Sequence, residues 1–420
     1  MRTTLRFTSA LFVLLAAAGC SSSDSDDASP SNPGAPTTTT SIVPAPEGLP
    51  EFYTVPMPLP AEPGMLIKSE KVGAAETHGT VYRVMYTSTT VRDEIVAVTG
   101  LIAVPNTPKP ADGFPVVTWA HGTNGMADEC APSLEPEGVA ALANNLLDKG
   151  WLVTATDYEG EGTPGLHPYI AGENAARNTI DIVRAAHQLP DAPAGDDYVV
   201  WGHSQGGHTA MFALKVAPTY ATELQAKGVV AGAPPSQFAL IYNYLKESPY
   251  RYYLLMAAGG LNAAYGDEAP LDEVLTPEGV NLVPELENGC AGDLADKFGE
   301  IDVDTVAKGD PFTVPSWKKI LTENDPQEFT EPSPLPLLMI QGGSDEQIPP
   351  VSTQLLAEHL CDIDQNFARW IYPGQTHSGV IGPSANDMTG WIADRFADAP
   401  DPHTYEPTGA PDIEITRCPE

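Results

Sequence analysis

The stretch VVWGHSQGGHTAMFALKVA (Val199–Ala217) carries more of this sequence's logic than any other. An apolar run of strand character, DYVVWGHS, meets a corner built of Gly202, His203, Ser204, Gln205, Gly206 and Gly207. A helical pattern, GGHTAMFALKVA, follows at once. A serine between two glycines at a strand-to-helix corner admits two readings. It is a nucleophile raised for attack, or a turn that happens to contain Ser.

The surroundings of this corner repeat its rhythm. Upstream, FPVVTWAHG and WLVTATDYEG read as buried strands, and GVAALANNLLDKG and ENAARNTIDIVRAAHQL as helices. Downstream, AKGVVAGAPPS, PLPLLMIQGGSD and ARWIYPGQTH read as strands, with helices over VSTQLLAEHLC and SANDMTGWIADRFA. Apolar strands alternating with helices imply a mostly parallel sheet covered on both faces. Two earlier segments, GTVYRVMYTST and EIVAVTGLIAVP, alternate polar and apolar residues and read as antiparallel strands near an edge. From about residue 236 to 334 the alternation stops, and a mainly helical cap inserted over the sheet is expected there.

The pentapeptide GHSQG, Gly202–Gly206, fits the G-x-S-x-G elbow of an α/β-hydrolase sheet. There the nucleophile sits on a strained turn at the carboxyl edge of the strands. Ser204 then needs a base and an acid in the order Ser, Asp or Glu, His. Asp345 follows an apolar strand in GGSDEQIPP, and His377 follows another in GQTHSG. Glu346 is the competing carboxylate, set aside because D-x-x-I-P suits an acid loop. His121, His203, His359 and His403 are set aside as bases by position, and His203 because side chains diverge at so tight a corner. The expected oxyanion donors are the backbone N–H of Gln205 and that of Thr123 in TWAHGTNG. Asp157, Glu159 and Glu161 in TDYEGEGTPG raise the possibility of a calcium or acid–base cluster. Their loose, Gly-interrupted spacing favours a structural loop bordering the site, with Tyr158 near the pocket. No metal and no cofactor are expected.

HGTNG followed by CAPS, then TDYEGEGTPGLHPY, GHSQGG, GGSDEQIP and GQTHSG, together resemble the secretory lipase family of α/β-hydrolases. The resemblance covers nearly all of the chain after its N-terminal region. It implies acyl-ester hydrolysis through an acyl-enzyme, on lipid or small ester substrates, with a helical lid where the cap is expected. By analogy with a related fungal lipase it also implies the disulfides Cys130–Cys290 and Cys361–Cys418. From the residues alone, three pairings of these four cysteines are open.

The N-terminus reads as export machinery. MRTTLRF supplies two positive charges, and SALFVLLAAAG is apolar but too short to span a bilayer. AAAGC, ending at Cys20, resembles a bacterial lipoprotein signal, which implies residues 1–20 as signal peptide and a lipidated Cys20 anchoring the chain to a membrane. Plain secretion is the alternative. Residues 21–50 are polar and Pro-rich and read as a tether, which leaves 51–420 for the hydrolase domain.

The 420 residues are 42% hydrophobic, enough for a sizeable core. Asp and Glu number 56 against 21 Lys and Arg, a net charge of −35. That field repels polyphosphate and excludes nucleic-acid binding as a function. Three functions remain. They are ester hydrolysis, acyl transfer or peptide cleavage by the same triad, and a non-catalytic surface lipoprotein on a hydrolase scaffold.

Overall fold

The computed structural model describes residues 41–74, 77–190, 194–399 and 403–418. The expected signal peptide, Cys20 and most of the expected tether lie outside the described residues. A two-stranded antiparallel ribbon, β1 (Ser41–Val43) and β2 (Val55–Met57), precedes the main sheet. That sheet holds ten strands: β3 (Leu66–Val72), β4 (Gly79–Thr89), β5 (Ile95–Pro105), β6 (Phe114–Ala120), β7 (Leu152–Thr156), β8 (Ala194–His203), β9 (Gln225–Gly232), β10 (Leu337–Gly342), β11 (Phe367–Tyr372) and β12 (Glu414–Cys418). Their spatial order is β12-β11-β10-β9-β8-β6-β7-β5-β4-β3.

The six strands from β11 to β7 run parallel to one another. The strands outside them pair antiparallel. β3 and β12 have no counterpart in the sequence reading. β3 is an edge strand whose stretch Ser69–Lys71 is exposed, and β12 follows a Pro-rich segment. Neither offers the apolar rhythm that marks the inner strands.

The crossovers set the two faces. Helices α1 (Pro136–Leu147), α2 (Gly172–Ala186) and α3 (Gln205–Tyr220) link the strands around the elbow. Along β8 the side chains alternate. Tyr198 and Val200 join a core with Ile180 of α2 and Phe212 of α3. Val199 and Trp201 join the opposite core with Val139 of α1 and Trp391 of the helix Ile381–Phe396. Both faces are therefore buried, which accounts for the unbroken apolar runs of the parallel strands. Between β9 and β10 the described residues form helices, turns and isolated β-bridges but no strand, from Phe238 to Glu328, around a core of their own that includes Met256, Leu261, Leu286 and Trp317.

Because β6, β8, β10 and β11 are parallel, the loops that follow them emerge at one edge. Those four loops carry Thr123, Ser204, Asp345 and His377.

Candidate active site

Ser204 stands between the last residue of β8 and the first of α3, with φ 60° and ψ −122°. A positive φ on a non-glycine residue costs on the order of 1–3 kcal/mol and persists only where its surroundings impose it. Here Ser204 N–H donates to Gly232 O at 2.9 Å, and Ser204 O accepts from His208 N–H at 3.0 Å. The two glycines have a steric cause. A Cβ on Gly206 would overlap the carbonyl oxygen of Ala120, and a Cβ on Gly202 would overlap that of Gly206.

Asp345 and His377 are brought together by the adjacent strands β10 and β11. His377 Nδ1 lies 2.8 Å and 3.0 Å from the two carboxylate oxygens of Asp345. The carboxylate also accepts from Gln347 N–H at 2.9 Å, Ile348 N–H at 2.8 Å and Gln341 Nε2 at 2.8 Å. Both residues are buried. The competing carboxylate, Glu346, turns to the backbone, where Oε2 accepts from His377 N–H at 3.1 Å. Ser204 and His377 line one cleft, together with Gly122 and Thr123.

His203 lies beside the base. Its ring centroid lies 4.6 Å from that of His377, with the planes tilted by 54°. Its pKa is lowered to about 3, first by burial and then by the neighbouring His377. A neutral ring packed against His377 buttresses that imidazole rather than competing for a proton.

The loop after β6 lies against the elbow. A Cβ on Gly122 would sit 3.7 Å from Ser204 Cβ. Thr123 Oγ1 hydrogen-bonds the Tyr169 hydroxyl at 2.9 Å. Gln205 opens α3, so its N–H has no acceptor within the helix. Its side-chain Nε2 lies 2.7 Å from His167 Nε2.

The carboxylates of TDYEGEG are spread over three tasks. Asp157 accepts from Ser133 N–H at 2.8 Å and Thr99 Oγ1 at 2.7 Å, and also from the Ser133 hydroxyl. Burial raises its pKa to about 6, with those hydrogen bonds opposing the rise. Glu159 accepts from Asn174 Nδ2 at 2.8 Å. Glu161 is fully buried between His121 and His167. Among the described residues no group of three or more His, Cys, Asp or Glu is arranged to hold a metal ion. Tyr158 packs on His121 with ring centroids 4.3 Å apart and donates to the His121 carbonyl at 3.1 Å.

A second cavity that also reaches Ser204 runs into the helical insertion, lined by Phe238, Ile241, Leu255, Leu261, Val303 and Trp317. The insertion is tied to the acid loop by tyrosines. Tyr244 OH donates to Glu346 O at 2.9 Å, and Tyr253 OH to Gln347 Oε1 at 3.1 Å. A disulfide joins Cys130, beyond the Thr123 loop, to Cys290 of the insertion. A second joins Cys361 to Cys418 and holds β12. Both pairings are those implied by the resemblance. Among the described residues no helix is long and apolar enough to cross a membrane.

The family model described as "Secretory lipase" matches residues 139–403. Among curated proteins, lipase A of Arthroderma benhamiae is 26% identical over 367 residues, covering 80% of this chain and 74% of that protein. A secreted triacylglycerol lipase of Malassezia globosa is 24% identical over 368 residues, covering 80% and 78%. Lipase A of Moesziomyces aphidis is 25% identical over 254 residues, and that match spans about half of each chain, 56% of this one and 54% of that protein. Among solved structures, Candida antarctica lipase A in its closed state superposes with a TM-score of 0.71 at 21% identity, covering 84% of this chain and 86% of that one. The rice cell wall degrading esterase LipA from Xanthomonas oryzae gives 0.67 at 17%, covering 80% and 99%. The structural likenesses give the α/β-hydrolase fold. The family model spans well over half of the sequence, and the chain belongs to the secretory lipase family.

Proposed function

We propose that this chain hydrolyses carboxylic esters of acylglycerol type, with Ser204 as nucleophile, His377 as base and Asp345 as the acid that orients it. The observation that carries this reading is the meeting of three features at one sheet edge. These are a strained Ser204 elbow, an Asp345–His377 pair lining the same cleft, and an apolar cavity that also opens on Ser204.

The chemistry follows from the hydrogen bonds. Asp345 accepts from His377 Nδ1–H, which leaves Nε2 free of a proton and able to take one from Ser204. The Ser204 oxygen attacks the ester carbonyl, and the tetrahedral oxyanion is held by the N–H groups of Gln205 and Thr123. His377 returns the proton to the leaving alcohol. Water, deprotonated in turn by His377, then releases the acid. Asp345 keeps its charge throughout, because three further donors besides His377 hold the carboxylate. The acyl chain lies in the apolar cavity, where burial contributes roughly 0.8 kcal/mol per methylene.

Export follows the secreted character of the relatives. Lipidation of Cys20 is the finer proposal, tested by metabolic labelling with a radioactive fatty acid; loss of label in Cys20→Ser supports it, and an unlabelled wild type refutes it. Activity is tested with p-nitrophenyl esters of graded acyl length. Ser204→Ala should lose on the order of 10⁴ to 10⁶ in turnover. Full activity in that variant would overturn the assignment. Ester formation with added alcohol outpacing hydrolysis would move the reading to acyl transfer.

A further inference from the structure

Glu161 is a buried carboxyl group near the site that neither the mechanism nor a hydrogen bond accounts for. It is 0% exposed, and neither of its oxygens has a hydrogen-bond partner among the described residues. Such a group is costly to bury and calls for a cause. Its two oxygens face two different histidines. Oε2 lies 3.8 Å from His121 Nε2, and Oε1 lies 3.9 Å from His167 Nε2.

Each histidine leads to one arm of the oxyanion site. His121 Nδ1 donates to Gly122 O at 2.7 Å, which stiffens the loop ahead of Thr123. Its Nε2 lies 3.2 Å from Asp157 O. On the other arm, His167 Nδ1 donates to Glu159 O at 2.8 Å. A neutral ring protonated there carries a lone pair on Nε2, which accepts from the Gln205 side-chain amide at 2.7 Å. One carboxyl group thus sits between the imidazole that bonds Gly122 O, one residue before Thr123, and the imidazole that bonds the Gln205 side chain.

We propose that Glu161 is a positioning residue for the oxyanion site, setting its two N–H donors through His121 and His167. The proposal rests on the reading of Ser204 as nucleophile. The carboxyl does this as a neutral acid. Burial raises its pKa well above the usual carboxylate range, and the charges of Asp157 and Asp128 raise it further. Burial likewise keeps the rings neutral, lowering His121 to about 4 and His167 to about 3. A neutral acid packs between the rings without placing negative charge behind a developing oxyanion. The separations of 3.8 and 3.9 Å leave room for contacts that tighten as that charge develops.

The test uses the full chain with turnover counted per site titrated by fluorophosphonate. Glu161→Ala should lower kcat by about 10- to 100-fold with KM little changed, since a displacement on the order of 1 Å costs up to that much. Glu161→Gln keeps shape and neutrality and should stay within about threefold of wild type, against the 10²–10³ that loss of an oxyanion donor costs. Wild-type kcat in Glu161→Ala would overturn the proposal, as would equal losses in both variants. If Glu161→Ala does not accumulate folded, His167→Phe decides. That variant keeps a ring but drops the nitrogen on Gln205, so kcat must fall, and an unchanged kcat refutes the positioning. A wild type that takes no fluorophosphonate on Ser204 would instead show that the nucleophile reading had failed. A labelled wild type with an unimpaired Glu161→Ala would leave that reading intact and remove this one.

Discussion

Asp345→Asn replaces one oxygen with an NH₂ group and should remove most of the activity. One Asp345 oxygen accepts from Gln347 N–H, Ile348 N–H and His377 Nδ1, and the other from Gln341 Nε2 and His377 Nδ1. Asparagine has only one acceptor oxygen. The two backbone N–H groups are fixed and will claim it. Its NH₂ then faces Gln341 Nε2 and His377 Nδ1. The histidine relieves the clash by carrying its proton on Nε2, where it cannot take one from Ser204. Loss of the correct tautomer in such triads costs about 10⁴ in kcat, equivalent to ~5.5 kcal/mol of transition-state stabilisation. KM should change little, because Asp345 does not line the apolar cavity. The assay is p-nitrophenyl ester turnover at saturating substrate, with thermal melting to show that the variant folds. Glu346→Gln is the companion variant. It should cost less than about tenfold, since the Glu346 carboxylate accepts from the His377 backbone N–H and from Tyr250 OH, a glutamine oxygen still accepts, and a neutral hydrogen bond contributes about 0.5–1.5 kcal/mol. Asp345→Asn retaining a tenth or more of wild-type kcat would refute the reasoning. So would a larger loss in Glu346→Gln.

The Cys130–Cys290 bridge closes a sequence separation of 160 residues. Cys130→Ser with Cys290→Ser should destabilise by up to roughly 5 kcal/mol on the loop-entropy model, lowering Tm by about 6 °C; an unchanged Tm would contradict this. Burial lowers the pKa of His208 to about 4, while its ring stacks against Phe238 and bonds Asn324 O. The unfolded chain takes up that proton below 6.5 and the folded chain does not, so stability is lost as pH falls from 6.5 to 4. His208→Gln should flatten the dependence of stability on pH in that window by up to about 1.4 kcal/mol per pH unit, and an unaltered slope in calorimetry would refute it. Ala258 lines the apolar cavity. Ala258→Phe should cut kcat/KM for dodecanoate at least tenfold while sparing acetate, because each excluded methylene forfeits roughly 0.8 kcal/mol; parallel losses on both esters would place the acyl chain elsewhere.

The parts of this molecule that were readable in the sequence share one property, which is local repetition. The strands β6 to β11 are buried on both faces and show as apolar runs, and the residues just past β8, β10 and β11 inherit a common edge from parallel pairing. That is why Ser204, Asp345 and His377 can be named together from the sequence as candidates. What was missed depends on contacts between distant segments. β12 pairs with β11 after a Pro-rich turn, and its sequence, Glu414–Cys418, is mostly polar. Glu161 looked like one of three loop carboxylates, and only the fold sets it between His121 and His167. The packing of His203 on the base has no signal in the sequence either, because it needs β8 and the loop after β11 to lie close enough for the two rings to touch. Tyr244 and Tyr253 of the insertion reach across about a hundred residues of sequence to the acid loop.

The central claim is that Ser204 is the group that attacks. Intact-protein and peptide mass spectrometry after treatment with a fluorophosphonate tests it most directly. The account predicts one adduct per chain, on Ser204 in the peptide containing GHSQGG, formed slowly in His377→Ala and absent in Ser204→Ala. No adduct on the folded protein, or an adduct that persists in Ser204→Ala, would contradict it.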